Sequence, residues 1–133
     1  MKRFRRHSVI LFALLVQQTA HAQYSASSLE EKSLKEIKNT AKNALRLGDS
    51  YTALAHYEEW ARRVPDNLNL LEKTADLYRV TRNYKKAEEW YLNLIKDGEE
   101  KFPLSYFFLG EVQMAQEKYA LAKENYEKFK KLS

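Results

Sequence analysis

The sequence predicts an all-α fold: an α-solenoid of three antiparallel helix pairs, six helices in all, preceded by an export segment. Three observations carry the prediction. Small residues recur at a nearly constant period, and the large apolar residues around them follow helical spacing. Only 3 Gly and 2 Pro among 133 residues leave little material for tight turns or bulges.

The period is read from Ala53, Ala87 and Ala122, which lie 34 and 35 residues apart. With these in register, Tyr57, Tyr91 and Tyr126 align, as do the bulky Trp60, Leu94 and Phe129. Earlier in each unit Ala41, Ala75 and Gly110 align as small residues, and Ile37, Leu71 and Tyr106 as large ones. Antiparallel helices approach closely only where one offers a small side chain, so the columns have a packing reason.

Each unit then divides into two helices. Ile37, Ala41 and Ala44 share a helical face, as do Leu71, Ala75 and Tyr78. The second helices repeat the spacing with Ala53, Tyr57 and Trp60, with Ala87, Tyr91 and Leu94, and with Ala122, Tyr126 and Phe129. Gly48-Asp49, Arg82-Asn83 and Gln116-Glu117 separate the halves; Pro65-Asp66-Asn67 and Asp97-Gly98 with Pro103 separate the units. The expected repeats are 34–67, 68–102 and 103–133, within a domain spanning 29–133. Ser27 or Ser28 is expected to cap a helix starting near Leu29. In the last helix Asn125, Glu127 and Lys130 replace Trp90, Leu92 and Ile95, which narrows the apolar stripe to Tyr119, Ala122, Tyr126 and Phe129, with Leu132 at its end. That is the expectation for a capping helix, with the array beginning and ending inside this chain.

These columns resemble the tetratricopeptide repeat. The middle unit matches best, through Leu71, Ala75, Tyr78, Tyr84, Ala87 and Tyr91; the first matches through Gly48, Ala53, Tyr57 and Pro65. The third matches through Tyr106, Leu109, Gly110, Tyr119, Ala122 and Tyr126. The resemblance runs from Leu34 to Phe129. It departs at Trp60, Leu94 and Phe129, where the family usually has alanine, and at Gln113, where it has an aromatic. The resemblance implies a concave face, lined by the first helices, that holds extended peptides or partner helices.

The start of the chain has another character. Lys2, Arg3, Arg5 and Arg6 precede the apolar run Val9 to Val16, and Ala20-His21-Ala22 follows. That layout predicts a secretory signal peptide over 1–22, cleaved after Ala22, with 23–28 a disordered tail and the remainder in the periplasm or cell envelope. The apolar run is far shorter than the roughly 20 residues of a membrane span, so no transmembrane segment is expected after cleavage. Four of the 23 basic residues and none of the 18 acidic ones lie in that segment, so the remainder carries 19 against 18. The basic balance is therefore an export feature, and no nucleic-acid partner is expected. The absence of Cys leaves no disulfide and no site for acylation on cysteine.

Signs of catalysis are few. Beyond the signal segment there is one histidine, His56, and a lone helical histidine is usually packed or exposed rather than catalytic. No His/Cys cluster has metal-ligand spacing, and Gly48, Gly98 and Gly110 stand alone, so neither metal nor cofactor is expected. Neighbouring carboxylates such as Glu58-Glu59, Glu88-Glu89 and Glu99-Glu100 splay apart on a helix and read as solvated faces. The chain is read as a non-enzyme.

The first-helix surface is more informative. In unit one Lys35, Lys38, Lys42 and Arg46 form a basic stripe; unit two offers Glu72, Lys73, Asp76 and Arg79; unit three offers Phe107, Phe108, Glu111 and Met114. A groove cationic at one end and apolar at the other suits a protein or peptide with an acidic segment and a hydrophobic anchor. The two-carboxylate clamp of some family members is not reproduced, because Lys42 follows Lys38 where that clamp needs Asn. The expected function is an exported adaptor for another envelope protein. The alternatives are a self-assembly module, or the N-terminal part of a longer peptidoglycan-linked envelope protein, whose layout of signal and repeats this chain resembles.

Overall fold

A computed structural model describes residues 28–98 and 100–133 of the chain. The expected signal peptide, and all of the expected tail except Ser28, lie outside the described residues. The chain divides into two compact units, Met1–Ser33 and Leu34–Ser133. In the first, residues 28–30 form one helical turn, and Lys32 N–H donates to the Leu29 carbonyl at 3.2 Å. The helix expected to start near Leu29 therefore amounts to a single turn. Ser33 and Glu36 provide a fresh S-x-x-E start, and the long helix begins behind it.

The second unit is all-helical. It consists of α1 (Leu34–Arg46), α2 (Ser50–Arg63), α3 (Leu68–Val80), α4 (Tyr84–Gly98), α5 (Leu104–Ala115) and α6 (Tyr119–Leu132). No strand occurs among the described residues. Each helix packs on the next in chain order, most extensively within the pairs α1–α2, α3–α4 and α5–α6.

The turns inside the three pairs are built alike. Residues 48, 82 and 117 are left-handed, with φ of 76°, 62° and 60°. The next N–H, of Asp49, Asn83 or Lys118, reaches back to the carbonyl of Ala44, Tyr78 or Gln113, at 2.9 Å each time. The left-handed residue itself donates to Leu45, Arg79 or Met114 at 3.0–3.1 Å. This Schellman closure satisfies the last carbonyls of each first helix and sends the chain back antiparallel. Glycine supplies the conformation at Gly48, whereas Arg82 and Glu117 adopt it with a side chain in place. Asp49 and Asn83 then cap the following helices, accepting from Thr52 N–H at 3.0 Å and Lys86 N–H at 3.3 Å; Asn67 caps α3 by accepting from Leu70 N–H at 3.3 Å.

The small-residue columns are where the helices meet. Ala41, Ala53, Ala75, Ala87 and Ala122 are wholly buried, and Gly110 is buried with them. A β-carbon on Gly110 would stand 2.6 Å from Cε1 of Tyr126, so that ring lies directly on the glycine. Two buried clusters result. One gathers Ala41, Ala44, Ala53, Tyr57, Ala61, Leu70 and Leu77; the other gathers Ala75, Tyr78, Ala87, Tyr91, Leu94, Phe102, Leu109 and Val112. Leu54, Leu71 and Trp90 pack against both and join them. The last helix is thinner than its expected stripe. Only Ala122 is buried, and Tyr119 is 60% exposed.

Two carboxylates expected to be solvated are buried instead. Glu59 is held by Arg62 and Arg63 at 2.6–2.8 Å, and Glu88 takes donors from Gln113, Gln116 and Lys118. Their neighbours differ: Glu58 is half-buried, and Glu89 is exposed and pairs with Lys86. The Glu88 cluster explains Gln113, whose Oε1 accepts from Asn125 Nδ2 at 2.7 Å while its Nε2 donates to Glu88 at 3.1 Å. A polar chain through α4, α5 and α6 replaces the aromatic that the resemblance implies there.

Candidate protein-binding face

The residues singled out by sequence fall into three groups. In the first, the Lys38 and Lys42 ammoniums lie 5.3 and 5.7 Å from the centroid of one indole, Trp60 on α2. Trp60 in turn stacks on Tyr57 at 5.5 Å. A cation over an indole face is attracted by the ring quadrupole, worth about 0.5–1 kcal/mol at exposed sites. Lys35 is exposed beside them, and Arg46 donates to the Asn43 side chain at 2.9 Å. Among the described residues, Lys35, Lys38 and Lys42 have no ion-pair partner. Of the carboxylates preceding Trp60, Glu59 is engaged by Arg62 and Arg63.

The second group is a closed network. The Tyr91 hydroxyl donates to Asp76 and accepts from Arg79 Nε at 3.2 Å. Arg79 also lies 3.5 Å from Asp76 and 3.6 Å from Glu111, with its guanidinium 4.0 Å above the Phe108 ring. Burial and the Asp76 carboxylate push the Tyr91 phenol far above its ordinary value, so it is a permanent donor here. Glu72 is raised above its usual value by burial and by Asp76. Lys73 is half-buried beside it. The contacts of Asp76, Arg79, Tyr91 and Glu111 tie α3, α4 and α5 together.

The third group is the expected apolar end. Phe108 stacks on Tyr91 at 6.3 Å, and Phe107 packs against Phe108, Tyr126 and Phe129 at 5.6–5.7 Å. Both rings are half-buried in contacts between helices. The open apolar side chains of α5 are instead Leu104 and Met114. The aromatic beneath the lysines is the half-buried Trp60, which the sequence marked only as a bulky departure from a small-residue column.

Other features stand apart from this face. A cleft of about 450 Å³ lies among α2, α3 and α4, lined by Glu58, Ala61, Leu71, Trp90, Lys96 and others. His56 is buried, its Nδ1–H donating to the Thr52 carbonyl at 2.8 Å, while Nε2 meets no partner. No group of His, Cys, Asp or Glu among the described residues has metal-site geometry. No described helix is long and apolar enough to cross a membrane. No family model and no curated protein matches the chain.

Proposed function

We propose that the chain is an exported binding scaffold: a tetratricopeptide-type α-solenoid that is cleaved after Ala22 and holds another cell-envelope protein or peptide along the surface of α1, α3 and α5. The observation that carries this reading is the recurrence of one turn geometry, at residues 48, 82 and 117, with the spacing of the small-residue columns. Three equivalent pairs set their first helices side by side. The reach of Arg79 on α3 to Phe108 and Glu111 on α5 supports that adjacency. The unpaired lysines of α1 give such a surface a charge to offer. Export rests on the basic, apolar, small-residue order of the first 22 residues. The non-enzymatic reading rests on the sparse chemistry of the sequence.

The test is capture from envelope extracts. Lys38→Glu with Lys42→Glu is expected to reduce partner recovery at unchanged helical content by circular dichroism. Recovery indifferent to that pair and to Met114→Ala would remove the first-helix face from the account. A second reading, self-assembly, is favoured by exposed apolar side chains at the turns within the pairs: Leu47 at 67%, Tyr51 at 73%, Val80 at 54%. Light scattering separates the two, since a monomer at micromolar concentration leaves no place for it.

A further inference from the structure

We infer that the basic end of this face is a subsite for an extended acidic segment carrying carboxylates at every second residue, seated on Lys38 and Lys42 above Trp60. The inference rests on the scaffold reading and specifies its ligand. Two like charges are held over a single ring, and among the described residues no acid offsets them. Their mutual repulsion is relieved by an anion, and no described carboxylate lies within ion-pair distance of either ammonium.

Geometry selects the form of the anion. Four residues of helix separate Lys38 from Lys42 by about 6 Å along the axis. In an extended chain, side chains on one face recur at about 6.6 Å. Carboxylates two apart therefore match the two ammoniums one to one, with Lys35 continuing the stripe toward the start of α1. Contiguous acids present every other carboxylate to the far side. A single chain-terminal carboxylate meets only one of the two cations. The indole beneath gives the stems of the acidic residues an apolar floor, as cation and ring already share it.

The test uses the full chain and synthetic heptapeptides, followed by calorimetry and by intrinsic tryptophan fluorescence, to which Trp60 and Trp90 both contribute. A blocked peptide alternating alanine and glutamate is expected to bind, and to bind more tightly than a blocked isomer with its glutamates contiguous. The glutamine analogue should not bind, whether its C-terminus is amidated or free. Lys38→Gln with Lys42→Gln is expected to weaken the alternating peptide roughly tenfold, the worth of two exposed ion pairs, and 0.5 M salt should act in the same direction. Equal binding of the free-carboxylate glutamine peptide, or no loss in the double variant, overturns the inference. If no peptide binds while Lys38→Glu with Lys42→Glu still abolishes partner capture, the subsite is wrong and the scaffold reading stands. If capture is also indifferent, both fall.

Discussion

Replacing Gly110 by alanine should destabilise the protein, although the same change inside most helices stabilises them. In an exposed helix interior the added methyl gains about 0.5–1 kcal/mol by restricting the unfolded chain. At Gly110 the methyl would meet Tyr126 at 2.6 Å from Cε1, 2.8 Å from Cδ1 and 2.9 Å from Cζ. No carbon pair tolerates such distances, so either the ring leaves or α5 and α6 separate. Losing the ring forfeits its contact with Phe107, at 5.7 Å, and its cover over α5. Overpacking of this kind costs about 1–3 kcal/mol, and the net expectation is a loss of about 1–2 kcal/mol after the helical gain. Urea unfolding followed by circular dichroism measures it. In a Tyr126→Ala background the obstacle is gone, and Gly110→Ala should then stabilise by about 0.5–1 kcal/mol. A stabilising Gly110→Ala with Tyr126 present would refute the packing of the small column against the tyrosine column.

Three further expectations follow from the turns and the polar clusters. Gly48→Ala should cost about 1 kcal/mol through its left-handed φ alone, since a β-carbon there meets nothing within 4 Å. Arg82→Gly and Glu117→Gly, at the equivalent turns, should each raise stability by about 0.5–1 kcal/mol in the same unfolding assay. Burial raises the Glu88 carboxyl, but donors from Lys118, Gln113 and Gln116 outweigh it and hold the group below its usual 4.5. A depressed folded value means stability present above pH 4.5 and lost as pH falls below it. Glu88→Gln should therefore cost about 1–2 kcal/mol at pH 7 and flatten the acid limb of the stability profile.

The packing code was largely legible in the chain, because it is written in residue size. The columns of Ala53, Ala87 and Ala122 and of Ala41, Ala75 and Gly110 are buried as their spacing implies. Chemistry that depends on partners across helices was not. Glu88 reads as a surface acid until Gln113, Gln116 and Lys118, some 25–30 residues on, turn toward it. Phe107 and Phe108 sit at surface positions by periodicity, yet half of each ring is covered by Arg79, Tyr91, Tyr126 and Phe129, none of them on α5. Trp60 was visible as a misfit in its column, but its role beneath two lysines needs the approach of α1 to α2. The left-handed Arg82 and Glu117 have no glycine to announce them; only alignment with Gly48 points to them.

The central claim concerns which surface meets the partner, and site-specific photocrosslinking in the native envelope reads it out. A crosslinker is placed in turn at Lys35, Lys42 and Met114 on the first helices, and at Leu92 and Lys123 on the second. The account predicts one shared adduct from the first three positions and none from the last two. Adducts confined to Leu92 and Lys123 would contradict it.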